Sequence, residues 1–87
     1  MHAVVVQVTI SDVDTAMEAL RNDVVPQVSG APGFVAGYWT RDGNSGLGMT
    51  IWESEDAAKN AHDRATEGAP EGVTFDSVEM REVVASA

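Results

Sequence analysis

The sequence predicts an α+β domain whose elements run in the order β-α-β-β-α-β. Three observations carry this expectation. The chain opens on a nearly continuous β-branched segment, His2 to Ile10. Two stretches of helical periodicity each follow a serine and a pair of acids, at Ser11 and at Ser54. Between them, Asp42-Gly43-Asn44-Ser45-Gly46 separates two short apolar runs in the manner of a hairpin.

In β1, from His2 to Ile10, the even positions Val4, Val6, Val8 and Ile10 make one wholly apolar face, and Ala3 and Val5 make the other half apolar. A strand apolar on both sides belongs at the centre of a sheet that is covered on both faces. Ser11, followed three residues later by Asp14, resembles a capping box, so a helix starts there. Val13, Met17, Leu20, Val24 and Val28 recur at steps of four and three, one stripe on a helix of about four turns. Pro26 is expected to kink or thin its last turn. Gly30-Ala31-Pro32-Gly33 ends the helix.

The second strand is expected over Phe34 to Arg41, with Phe34, Ala36 and Tyr38 on one face and Val35 and Trp39 on the other. The third runs from Leu47 to Glu53, with Leu47, Met49 and Ile51 opposite Gly48, Thr50 and Trp52. Ser54 caps the second helix, which runs to about Glu67 before Gly68 and Pro70 stop it. The last strand spans Val73 to Val84. A bulge is expected in it, because Val73 and Phe75 lie on the opposite alternation from Val78 and Met80. Residues 1–87 carry no internal repeat, linker or low-complexity tract, and read as one domain.

This element order is that of a ferredoxin-like fold, an antiparallel four-stranded sheet with both helices on one face. The other face then needs a cover, for which a second copy of the chain is the economical choice. A chain of this size buries only about 60–65% of its unfolded surface, so a homodimer also enlarges a small core.

Fourteen acidic against five basic side chains give a net charge of −9. That balance repels phosphate backbones and anionic lipid, so neither nucleic acid nor membrane is an expected partner. No apolar run of about 18 residues is present, nor a basic leader before an apolar run, nor any cysteine, and a cytoplasmic location is expected.

Pro32-Gly33-Phe34 opening the second strand, and Trp52-Glu53-Ser54 leading into the second helix, resemble the antibiotic-biosynthesis-monooxygenase-like family. The resemblance extends over essentially the whole chain in element order and implies a dimeric α+β barrel. It also implies an oxygenase that acts on aromatic, polyketide- or quinol-like substrates without metal, flavin or other cofactor. Haem-degrading proteins of similar pattern carry an Asn on the first strand, a Trp on the second helix and a His beyond it. Here those places hold Gln7, Ala61 and the Pro70-Glu71 region, so haem degradation is not expected. A non-catalytic small-ligand-binding dimer, or a purely structural one, is the alternative.

The second helix presents Ala57, Ala58, Ala61 and Ala65 inward, side chains too small for ordinary helix-to-sheet spacing. Either the helix lies close to the sheet, with Trp52, Tyr38 or a Met filling the gap, or the gap is a ligand pocket. His62 borders that stripe and is the candidate acid, base or hydrogen-bond donor; its other reading is a half-exposed surface residue beside Asp63. Tyr38 and Trp52 are candidates to shape an aromatic site. Trp39 and Trp52 could stack on a flat aromatic ligand, although large aromatics in strands are more often core or dimer contacts. Gln7, an amide in an apolar strand, needs a partner across a dimer interface or on a ligand. The glycines at 43, 46 and 48 lack the following helix of a phosphate loop and read as hairpin residues. Asp42-Gly43-Asn44 lacks the remaining spacing of a calcium loop, and two distant His residues make no metal signature.

Overall fold

A computed structural model describes residues 1–87. Strand β1 (His2–Ile10) is followed by a helical segment composed of α1 (Val13–Ala19), a π turn (Leu20–Val24) and α2 (Val25–Ser29). Then come β2 (Phe34–Asp42), β3 (Ser45–Trp52), α3 (Glu55–Glu67) and β4 (Val73–Glu82). The strands form one antiparallel sheet in the order β2-β3-β1-β4, with β1 internal as its two-sided apolarity requires. This is the expected ferredoxin-like α+β arrangement.

Local chemistry accounts for the ends of these elements. The first helix is capped by Asp12 rather than Ser11: its Oδ1 accepts from the Thr15 N–H at 3.2 Å, while Ser11 N–H is already bonded to the Gly72 carbonyl. Ser54 Oγ does the same for Ala57 N–H at 3.2 Å and starts α3. The irregularity expected at Pro26 falls one turn earlier. Pro26 has no N–H, and its ring would strike the carbonyl four residues before it. The chain widens into the π turn ahead of it, where Val25 N–H bonds to the Leu20 carbonyl. The hairpin is tighter than expected, with Asp42 paired to Ser45 and Gly43 at φ +60°. β4 ends at Glu82 instead of Val84, because its partner strand ends: Val83 N–H reaches the Met1 carbonyl at 3.0 Å, the last residue available.

Two bulges decide which side chains face the helices. In β4 the register slips opposite Gln7/Val8, so that Ser77 pairs with Gln7 and Phe75 with Val8. Asp76 is the extra residue, and Val73, Phe75, Val78 and Met80 all reach the helix side, as the broken alternation predicts. In β2 a second slip lies between Phe34 and Ala36. It overturns the simple alternation expected there. Phe34, Gly37 and Trp39 share the helix face, while Ala36 and Tyr38 face the other way.

The core sits at one end of the sandwich. Val4, Trp52 and Ala58 form its buried centre, and Phe34 meets the Trp52 ring edge-on with centroids 5.6 Å apart. Only eight of 87 residues are fully buried, and much of the remaining helix-to-sheet space is not filled by side chains.

Candidate functional site

That unfilled space is a cavity of about 540 Å³ between the helices and the sheet. Val4, Val6, Val8, Thr50 and Trp52 line it from the sheet, Met17, Leu20 and Val28 from the first helical segment, and Ala57, Ala61 and Ala65 from α3. The alanine stripe thus divides. Ala58 packs tightly against Val4 and Trp52, whereas its neighbours one step round the helix leave room. A volume of this size suits a small multi-ring molecule, and its walls are mostly apolar.

Trp39 also lines the cavity, and glycines hold it flat against the sheet. A Cβ on Gly48 would stand 2.9 Å from its ring, and one on Gly37 would stand 2.7 Å away. The glycines at 37 and 48 therefore serve as a platform for an indole. At the opening, the exposed lining residues include Asp23 and Gln27 of the first helical segment, Arg64 of α3 and Glu71 of the connection to β4. Arg64 lies seven residues after Ala57, two helical turns on and hence on the same line of α3. Its guanidinium makes no ion pair. No group of three or more His, Cys, Asp or Glu side chains is placed to hold a metal ion.

The four residues singled out from sequence separate in space. Trp52 lines the cavity, but it is 2% exposed and its Nε1 already donates to Thr50 Oγ1 at 2.8 Å; it is wall, with no donor left over. His62 is not among the lining residues. It is half-buried on the next face of α3, with Nδ1 3.4 Å from Asp63 Oδ1. Gln7 and Tyr38 project from the helix-free face of the sheet, on the far side from the cavity, and both are exposed in the single chain. Tyr38 is displaced by the bulge at Val35, and Gln7 by ordinary alternation with Val6 and Val8. Asp63 accepts from Lys59 Nζ at 3.2 Å and lies against His62, and these hydrogen bonds hold its carboxyl below the usual Asp value. This ionic group is on the surface, away from the cavity.

The site residues that sequence reasoning passed over are Arg64, Asn60 and Thr50. A signal for the first two existed: at about 100° per residue Arg64 lies roughly 20° and Asn60 roughly 60° outside the Ala57 edge of the arc spanned by Ala57, Ala61 and Ala65. Thr50 shares the β3 face of Gly48 and Trp52 but carries no pattern that marks it as polar cavity lining.

No family model matches the sequence, and no curated relative does. Solved structures do. MupZ from Pseudomonas fluorescens superposes with a TM-score of 0.64 at 13% identity, over 91% of this chain; the chain spans 65% of the length of MupZ. A monooxygenase from the gene ActVA-Orf6 of Streptomyces coelicolor, in complex with the ligand Nanaomycin D, superposes with a TM-score of 0.56 at 13% identity, over 99% of this chain and 92% of that one. The chain shares the fold of these two proteins. At such identity the likeness concerns the backbone alone, and chemistry has to be argued from this chain's own cavity.

Proposed function

We propose that this protein is a homodimeric oxygenase that binds a flat, electron-rich aromatic compound in the cavity and lets its anion react with dioxygen, without metal or flavin. The observation that carries the proposal is the apolar cavity of about 540 Å³ beneath the alanines of α3. The sequence resemblance to oxygenases, and the fold shared with a monooxygenase solved in complex with Nanaomycin D, support the reaction class. In an anthrone-like substrate, loss of a proton from the ring CH₂ gives an electron-rich enolate. Oxidation of that CH₂ to a carbonyl releases four electrons, which reduce one dioxygen: one oxygen atom enters the product and the other leaves as water.

The cavity suits the first step. Its apolar walls bind the rings, and the Asn60 amide and Arg64 guanidinium supply hydrogen-bond donors at its solvent-exposed edge. Asp23 and Glu71, also lining residues, are the groups there able to take the proton. His62 lies outside the lining and is given no part.

The helix-free face supplies the proposed dimer interface. Leu47 and Met49 are 38% and 39% exposed there, and Tyr38 is 68% exposed. Ala3 and Val5 of β1 lie beside them but are already only 6% and 9% exposed, so the exposed apolar patch is carried by β2 and β3. A second copy laid on this patch would give Gln7 a partner across the interface and bury at least about 1,200 Å² in total.

Oxygen uptake with a panel of anthrone- and quinol-like compounds tests the function. Uptake by the wild type, its loss in Ala61→Trp, where the indole fills the cavity, and its retention in His62→Ala are expected. Panel compounds that bind in the cavity without oxygen uptake would instead make the protein a non-catalytic binding module.

A further inference from the structure

Thr50 is the buried polar side chain of the cavity wall, 9% exposed. It stands on β3 with Val4 of β1 on one side and Gly37 of β2 on the other, and neither offers a side-chain acceptor. Its Oγ1 accepts from Trp52 Nε1 at 2.8 Å. That bond uses the indole's only donor and one of the hydroxyl's two lone pairs. The hydroxyl proton itself goes to no protein acceptor. A buried hydroxyl that accepts without donating is an incomplete hydrogen-bonding group, and the donated indole N–H polarises it into a stronger donor.

We propose that Thr50 is a catalytic hydrogen-bond donor: its hydroxyl, polarised by Trp52, holds the oxygen of a phenolate or enolate bound in the cavity. This deepens the oxygenase proposal and rests on its assignment of the cavity to an aromatic anion. The charged groups Asp23, Arg64 and Glu71 are exposed at the opening, so Thr50 acts in the apolar interior, where one donor aimed at an anion counts for more than it does in water. The ligand class narrows accordingly. An aromatic with a phenolic or enolic oxygen completes the Thr50 hydroxyl, and the same ring system without that oxygen leaves it unmet. Trp52 is a positioning residue in this scheme, acting on the ligand oxygen through Thr50.

The experiment is a spectroscopic titration with a hydroxyanthraquinone whose phenol is remote from its carbonyls, and with the parent anthraquinone lacking the hydroxyl. The phenol and phenolate absorb at different wavelengths, so binding and ionisation are read together without turnover. Wild type is expected to lower the ionisation pH of the bound phenol by about one to two units. Thr50→Val abolishes that shift and weakens phenolate binding about ten- to a hundredfold, while binding of the parent compound is unchanged. Thr50→Ser retains the shift, and Trp52→Phe retains part of it. Thr50→Val orphans the indole N–H; if it fails to fold, the double variant Thr50→Val/Trp52→Phe leaves neither group unpaired and gives the same comparison. An unchanged phenol ionisation and affinity in the folded variant overturns the role of Thr50 and leaves the oxygenase proposal standing. Thr50-dependent phenolate binding, with no oxygen uptake on anthrone- and quinol-like compounds that bind, upholds Thr50 as the donor to the ligand oxygen and defeats the oxygenase. Failure of the wild type to bind the phenol overturns both.

Discussion

Ala58 and Ala61 are less than one turn apart on α3 and meet opposite surroundings, so the same substitution distinguishes a packed junction from a cavity wall. Ala58 is 0% exposed and touches Val4 and Trp52. Leu at this position adds three carbon atoms where there is no space, and overpacking of this kind costs ~1–3 kcal/mol. Ala61 borders the 540 Å³ cavity, and Leu there extends into open volume. Three added carbons, each contributing up to about 0.8 kcal/mol if buried, give at most ~2.4 kcal/mol. Partial exposure at the cavity wall halves this, and immobilising a Leu side chain costs ~0.5–1 kcal/mol. Ala61→Leu should therefore lie between neutral and ~1 kcal/mol stabilising. Urea denaturation at one fixed protein concentration measures both, since an oligomer's stability depends on concentration. An Ala61→Leu variant destabilised as much as Ala58→Leu would mean that α3 has no cavity beneath it. A neutral Ala58→Leu would remove the tight junction with Trp52.

The interface is probed by Met49→Glu, whose side chain stands between Val5 and Tyr38 on the helix-free face. Light scattering at micromolar concentration should give twice the chain mass for the wild type and the single-chain mass for the variant; a monomeric wild type contradicts the dimer. Hydrogen bonds from Lys59 and His62 depress the Asp63 carboxyl below its ordinary value of 3.8. Because the folded value is the lower one, the small stabilisation is present above the ordinary value and is lost as pH falls through the depressed one. Lys59→Met should bring the Asp63 titration, followed by carboxyl carbon NMR, back toward 3.8; an unmoved titration would show that the Lys59 bond does not form in solution.

Most of the fold was legible because its signals are local and periodic. The even-numbered valines of β1, the stripe from Val13 to Val28, and the phase change between Phe75 and Val78 each translate into the element or bulge observed. The bulge at Val35 was not legible. A slip in β2 depends on how Phe34 packs against Trp52, a contact between residues 18 apart in sequence, and nothing in the alternation of 34–39 marks it. That one slip moved Tyr38 from the expected site to the opposite face. The alanine stripe marked the stretch of α3 that borders the cavity but left close packing and a pocket both open, and sequence could not separate Ala58 from Ala61, since both look equally small until the sheet beneath them is in place. Arg64 was overlooked because a charged residue is read as solvated by default, although its spacing from Ala57 put it on the cavity line. Thr50 became visible only through the Trp52 hydrogen bond, which depends on side-chain rotamers rather than on pattern.

The central claim is that dioxygen is split between the product and water inside this chain's cavity. Turnover of an anthrone-like substrate under ¹⁸O₂, with the metal-free and flavin-free protein, tests it most directly. One ¹⁸O atom in the quinone-type product, absent with Ala61→Trp, is the predicted result. Substrate that binds to the wild type and is recovered unoxidised, or product formed equally by Ala61→Trp, would contradict it.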